Sequence, residues 1–213
     1  MKRVYFCLTI PFLFFAKVLI LFRTSRFNQD LEKISNLISK TELDLDKEIL
    51  YILAVAEDHR VNSHLGIDHY AMLRAIYYTK FKKQFQGAST IAQQLVRVAT
   101  DRYEKTWRRK LREQLLAVLI SRRFSIEQIS TTYLKIAFLG SGMNGLDRYL
   151  KWKNINHSLT TLEKIEIISR LKYPEPLITN HEWSSKIKIR VGNISSKLEK
   201  SLPTHCCPIV CFK

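Results

Sequence analysis

The feature that most constrains this chain is an apolar run over residues 4–22 (VYFCLTIPFLFFAKVLILF), broken only by Thr9, Pro11 and Lys17. At about 1.5 Å per residue a helix of that length reaches about 28 Å, close to the hydrocarbon thickness of a bilayer. The run predicts one transmembrane helix, with Lys17 snorkelling toward an interface along its flexible stem. No small-x-small cleavage pattern follows it, so it reads as a retained signal-anchor rather than a removed signal peptide. Lys2 and Arg3 precede the run and Arg23 and Arg26 follow it, which leaves its orientation open.

The anchor changes what the charge means. Lys and Arg number 35 against 19 Asp and Glu, a formal net charge of +16. On a soluble chain that excess points first to nucleic acid. On a chain tied to a bilayer it points to anionic headgroups or a phosphate-bearing lipid substrate, and no nucleic-acid motif is present. A hydrophobic fraction of 46%, with 11 Phe and 9 Tyr, excludes disorder as the dominant state. Cys7 lies near one end and Cys206, Cys207 and Cys211 near the other, which is not a spaced disulfide framework. The fold must rest on its core.

Residues 24–47 are polar with intermittent Leu and Ile and read as an amphipathic or loosely packed connector. Residues 48–56 (EILYILAVA) are apolar on nearly every side and predict a buried helix ending at Glu57 and Asp58. Asp68 is placed to cap a helix running to about residue 78, and Thr90 with Gln93 fits a capping box opening another. From residue 106 to about 123, Leu111, Leu115, Val118 and Leu119 recur at helical spacing. Residues 125–138 and 160–171 predict further helices around a stretch containing Gly140, Gly142 and Gly145. No alternating strand pattern or internal repeat is visible, so the fold class is mostly α. Beyond residue 176 the pattern weakens to a peripheral helix and tail.

Several polar groups could carry chemistry, each with a plainer reading beside it. Glu57 sits where an apolar helix ends, a setting suited to general acid or base work; helix termination and a salt bridge are the plainer reading. His64 and Asp68 flank Gly66 and suggest a capped turn before a metal site. Glu113 shares a helical face with Arg109 and Lys110, either as a surface ion pair or as a carboxylate held by cations beside a phosphate. The segment from Gly87 through Ser89, Thr90, Gln93 and Gln94 is a small-residue turn at a helix start with extra donors. Arg97 lies one turn further on, which suits a pyrophosphate as well as it suits a simple cap.

In this order these segments resemble glycosyltransferase family 51, the peptidoglycan glycosyltransferases that polymerise lipid II. Glu57-Asp58-x-x-Val61-x-x-His64-x-Gly66-x-Asp68 is similar to its first motif, and Gly87-Ala88-Ser89-Thr90-Ile91-Ala92-Gln93-Gln94-Leu95 to its second. Arg109-Lys110-x-x-Glu113 is similar to the third. Tyr133-Leu134-Lys135 followed by Gly140, Gly142 and Gly145 resembles the fourth, and the stretch from Leu159 through Glu163 to Pro174 a later helix. Val61, Val98, Lys105 and Lys135 depart from the family pattern.

The resemblance implies a lysozyme-like helical domain on the outer face of a bacterial cytoplasmic membrane, held by a single-pass anchor. It implies an anchor over residues 1–23, a connector over 24–43, a glycosyltransferase domain over 44–180 and a peripheral tail over 181–213, with no room after 180 for a transpeptidase. By similarity Glu57 is the general base and Glu113 lies near the donor pyrophosphate. Asp58, His64, Ser89, Thr90, Gln93, Gln94, Arg97, Lys105, Arg109 and Lys110 are the substrate-binding set. The implied partners are lipid II, the growing glycan, membrane lipids and cell-wall synthesis proteins. No organic cofactor and no protein-held metal is expected, while a divalent cation, Mg or Mn, is left open as a helper. Two alternatives stand beside this reading: a relative that binds lipid II or cell-wall partners without turnover, and a lysozyme-like hydrolase using the two glutamates as a pair.

Overall fold

The apolar run becomes α1 (Lys2–Leu21), a 20-residue helix carrying Pro11 within it. It is long and apolar enough over Val4–Leu21 to cross a membrane. The computed structural model describes residues 2–22, 25–84 and 86–201. Among the described residues there are ten α-helices and a single two-stranded hairpin. The chain divides into two units, one of residues 1–41 and 60–133 and the other of residues 42–59 and 134–213.

In the first unit, α1 buries Thr9, Leu13 and Ala16 and leaves Phe6, Ile10, Phe14 and Leu21 exposed. Leu13 packs with Ile67 and Val118, and Phe12 and Met72 close the edge of that cluster. The polar stretch that follows takes the amphipathic of its two expected forms and is not loosely packed. It forms α2 (Ser25–Lys40), whose Phe27, Leu31, Ile34 and Ile38 are buried at helical spacing. The Asp30 carboxylate of this helix accepts from Arg112 at 2.6 Å, which ties α2 to the helix over Trp107–Arg123.

A 3-10 turn (Val61–Ser63) leads to α4 (His69–Phe81), and the side chain of Asp68 caps it by accepting from the Ala71 N–H at 2.9 Å. Tyr70, Leu73, Ile76, Tyr77 and Phe81 are exposed on α4, next to Lys80, Lys82 and Lys83. Thr90 caps α5 (Ile91–Thr100). The expected capping box is only half made. The Gln93 N–H donates to Thr90, but the Gln93 amide is drawn away to the Gly66 carbonyl and to Lys110. Thr106 caps α6 (Trp107–Arg123), in which every residue from 113 to 120 is buried. Leu111, expected on the apolar stripe, is 40% exposed, two residues before the buried stretch begins.

The last helix of this unit, α7 (Ile126–Ile136), passes its final residues to the second. There α3 (Lys47–Glu57) is the buried helix that residues 48–56 predicted, with Ile49, Leu50, Ile52 and Leu53 nearly inaccessible. Two short strands, β1 (Phe138–Gly140) and β2 (Met143–Asn144), pair antiparallel where no strand was expected, since segments this short carry no alternation. After them come α8 (Leu146–Trp152) and α9 (Thr161–Arg170), the latter opened by a full capping box between Thr160 and Glu163. The Glu163 carboxyl is held down at about 2 by the Thr160 N–H, the Thr160 hydroxyl and His157. Lys164 links α9 to the start of α3 through Asp46 and through Glu48 at 2.5 Å.

The polar C-terminal stretch forms α10 (His181–Ser201), which packs on both α3 and α9 and buries Ile194 completely. The cysteines at 206, 207 and 211 lie outside the described residues.

Candidate active site

The centre of the first unit's site is a backbone contact. Gly66 adopts φ +76, and a Cβ there would lie 2.5 Å from the Ala117 carbonyl oxygen, so only glycine lets this turn meet α6. The Gly66 carbonyl accepts from the Thr90 hydroxyl at 2.8 Å and from the Gln93 amide at 3.2 Å. One glycine therefore fixes the start of α5 against α6 and sets the spacing of the polar residues on both helices.

Glu113 is the group those helices enclose. Its side chain is 3% exposed, far from the surface ion pair that the local pattern allowed. Arg97 from α5 donates to both of its oxygens at 3.1 Å. Arg109 and Lys110, one turn earlier on α6, each reach it at 2.5 Å. Lys110 also donates to Gln93 at 2.6 Å and to Ser89 at 3.1 Å, and Arg97 approaches Ser89 at 3.3 Å. Burial pushes the Glu113 carboxyl up, but the hydrogen bond from Arg97 and the charge of Lys110 outweigh it and hold the group below the usual carboxylate range. Burial lowers the Lys110 ammonium, with the Glu113 charge opposing that shift.

Three cations thus surround one carboxylate, beside the Ser89 hydroxyl and the N-terminus of α5. The surplus positive charge and the convergent donors form a natural receptor for a multiply charged oxyanion. Gln94, one residue along, accepts instead from the Tyr133 hydroxyl at 2.5 Å and fastens α5 to α7. Lys105 is exposed and makes none of the hydrogen bonds around Glu113.

Elsewhere in the same unit Asp68 is buried. It accepts from Arg60 at 2.7 Å, from the Ala71 N–H and from the Tyr5 hydroxyl at 3.3 Å. Burial raises its carboxyl, and the Ala71 N–H and Arg60 more than offset this. Arg60 in turn stacks over Tyr70, 4.2 Å from the ring centre. His64 ends the 3-10 turn and lines an open groove of about 580 Å³ with Tyr5, Phe6, Cys7, Asn62, Ser63 and Leu65. None of the Glu113 cluster lines that groove.

In the second unit, Glu57 is the last residue of α3, and Asp58, buried, is its C-cap. Arg190 from α10 donates to the Glu57 carboxylate at 2.6 Å and to the Ala56 carbonyl at 3.1 Å. Lys135, the charge that breaks the fourth motif, pairs with Asp44 at 2.6 Å. The hydrogen bond from Lys135 holds the Asp44 carboxyl below its ordinary range. Gly145 follows at φ +88, where a Cβ would meet the Lys135 carbonyl oxygen at 2.1 Å. Sequence reasoning missed Arg60, Asp44 and Arg190. Only Arg60 lay within reach of a local signal, eight residues before its carboxylate partner.

In a mostly helical chain, the first unit thus holds a buried carboxylate among three cations, and the chain opens with an apolar helix long enough to cross a membrane. The transglycosylase family model matches residues 28–192, and the chain belongs to that family. Penicillin-binding protein 1A of Aquifex aeolicus is 36% identical over 104 residues, 48% of this chain and 14% of that protein. A biosynthetic peptidoglycan transglycosylase of Bdellovibrio bacteriovorus is 36% identical over 107 residues, 47% of this chain and 43% of that one. A monofunctional glycosyltransferase of Staphylococcus haemolyticus is 27% identical over 175 residues, 78% of this chain and 65% of that protein. The chain therefore spans from about a seventh to about two thirds of the lengths of these relatives.

Proposed function

We propose that this protein is a membrane-anchored peptidoglycan glycosyltransferase that polymerises lipid II into β-1,4-linked glycan strands and releases undecaprenyl pyrophosphate. The observation that carries the reading is the buried Glu113 held by Arg97, Arg109 and Lys110 beside Ser89 and Gln93. A leaving pyrophosphate needs fixed cations and helix N–H groups in a partly dry site, and this cluster supplies them. The names of the relatives, peptidoglycan transglycosylase and glycosyltransferase, support the same activity.

In the proposed reaction Glu57 takes the proton of the acceptor sugar's 4-hydroxyl as that oxygen forms a bond to the donor's anomeric carbon. The bond from that carbon to the pyrophosphate oxygen breaks, and the leaving group departs with the electron pair. Arg97, Arg109 and Lys110 receive its charge. Glu113 keeps those three cations apart and oriented. Around Glu113 the protein offers one carboxylate, already engaged by three cations, and such a donor set does not fit a divalent metal. No step is assigned to one. The Lys135–Asp44 pair absorbs the charge introduced into the fourth motif, which favours a competent enzyme over a binder without turnover.

The apolar face of α1 and the exposed Leu73, Ile76, Tyr77 and Phe81 of α4, rimmed by lysines, support attachment to an anionic bilayer. We place the protein in the bacterial cytoplasmic membrane, single-pass, with its catalytic domain on the outer face. Spanning requires Tyr5 and Thr9 to part from Asp68 and His69 and Leu13 to leave Ile67 and Val118, because a helix inside the bilayer cannot also lie along the domain.

The experiment is polymerisation of fluorescent lipid II by the full-length protein in detergent with added divalent metal, beside a Glu57→Gln control. Long glycan chains that disappear in the control are expected. Lipid II binding with no chains from the unsubstituted protein refutes turnover, and soluble fragments cut from finished peptidoglycan would favour the hydrolase reading.

A further inference from the structure

We infer that Arg190 is a positioning residue for the Glu57 carboxylate, which makes the C-terminal helix α10 part of the catalytic apparatus. The inference rests on the reading of Glu57 as the general base.

It begins with a local conflict in α3. A helix C-terminus carries the negative end of the backbone dipole and several carbonyls without intrahelical partners. Cations belong there. The sequence instead places Glu57 and Asp58 at that end, with no basic residue in the last turn. A carboxylate held against the dipole needs compensation from elsewhere in the fold, and a broken local rule of this kind is characteristic of functional sites.

The compensation comes from 133 residues downstream. Arg190 Nη2 donates to Glu57 Oε1 at 2.6 Å and to the Ala56 carbonyl at 3.1 Å. The two side chains are 13% and 16% exposed, so solvent screens the pair little. One nitrogen thereby ties the carboxylate to the backbone of its own helix, which restricts the rotamers of a long side chain. A planar guanidinium is suited to this, because its donors are fixed relative to one another.

The plainer role for Arg190 is a cap for α3 with no bearing on chemistry. Against it stands the second bond: the nitrogen that reaches the Ala56 carbonyl also donates to the Glu57 carboxylate at 2.6 Å, a contact that capping the backbone does not need. Placement of the carboxylate explains why a buried guanidinium stands there.

The test uses the full-length protein in detergent with fluorescent lipid II as substrate, at a temperature well below each variant's melting point. Arg190→Ala is expected to lower kcat by about 10- to 100-fold, as for a misplaced catalytic group, with KM changed by less than about 2-fold. Millimolar guanidinium should restore part of the lost kcat. Arg190→Lys should be intermediate, because an ammonium keeps the charge but not the in-plane pair of N–H donors on the one nitrogen that reaches both Glu57 and Ala56. If Arg190→Ala does not fold, Arg190→Lys and Arg190→Met carry the same comparison. A folded variant lacking the guanidinium with unchanged kcat overturns the inference. So does a loss that follows the melting point alone and is not rescued by guanidinium. Glu57→Gln separates the two readings. If it polymerises normally, the assignment of Glu57 fails and this inference falls with it; if it is inactive while Arg190→Ala is fully active, only the role of Arg190 fails.

Discussion

Glu113→Gln removes the one negative charge from a buried cluster of three cations while keeping the shape and one acceptor oxygen. Taking away one partner of a fully buried pair costs roughly 3–5 kcal/mol. Here the carboxylate is 3% exposed, but Arg97 and Lys110 are 29% and 33% exposed, so water relieves part of the repulsion left behind. Discounting for that screening leaves about 2–3 kcal/mol. At roughly 2–4 °C per kcal/mol for a chain of this size, the melting temperature should fall by roughly 4–12 °C, read by circular dichroism in detergent. Inorganic pyrophosphate should then raise the melting point of the variant more than that of the unsubstituted protein, because the three cations have lost their internal counter-ion. A melting point unchanged within about 1 °C, or a larger pyrophosphate effect on the unsubstituted protein, would refute the view of Glu113 as the organiser of an oxyanion receptor.

Gly66→Ala forces a methyl to within 2.5 Å of the Ala117 carbonyl oxygen at positive φ, so it should destabilise the first unit by about 1–3 kcal/mol and lower the urea midpoint. Stability should also fall in acid. Burial pushes up the carboxyls of Glu113, Asp68 and Glu175, but their cationic partners, with the Ala71 N–H at Asp68, hold all three below the ordinary range. Because the folded-state values are depressed, the stability they contribute is fully present above the unfolded carboxylate value of about 4 and is lost as pH falls through the depressed values. Urea midpoints measured from about pH 7 to pH 3 should therefore decline toward the acid end, and less steeply in Glu113→Gln; a flat profile would contradict the ion pairing described here.

Local physics was legible in the residues themselves. The apolar run, the buried helix over residues 48–56 and the Asp68 and Thr90 caps all depend on neighbours within one or two turns, and the structure contains each of them, while the capping box expected at Thr90 and Gln93 is only half made. An amphipathic α2 was one of two forms its sequence allowed, and its stripe at Phe27, Leu31, Ile34 and Ile38 becomes core only once α5 and α6 cover it. The hairpin escaped notice because two strands of three and two residues have no period to read.

What only the tertiary structure decided are the pairings across long loops, since periodicity carries no information about which distant residues meet. From sequence, Glu113 had two cations within four residues and looked like a surface pair; Arg97, sixteen residues away on another helix, and the burial of α6 turned it into an enclosed carboxylate. Glu57 gave no hint of Arg190, because the two meet only when α10 folds back on α3. The sequence by itself determined most of the helices, the apolar N-terminal run and the order of the polar motifs. The fold decided how deeply the charges lie and which cation faces which carboxylate, because desolvation and charge pairing depend on distance in space and not along the chain.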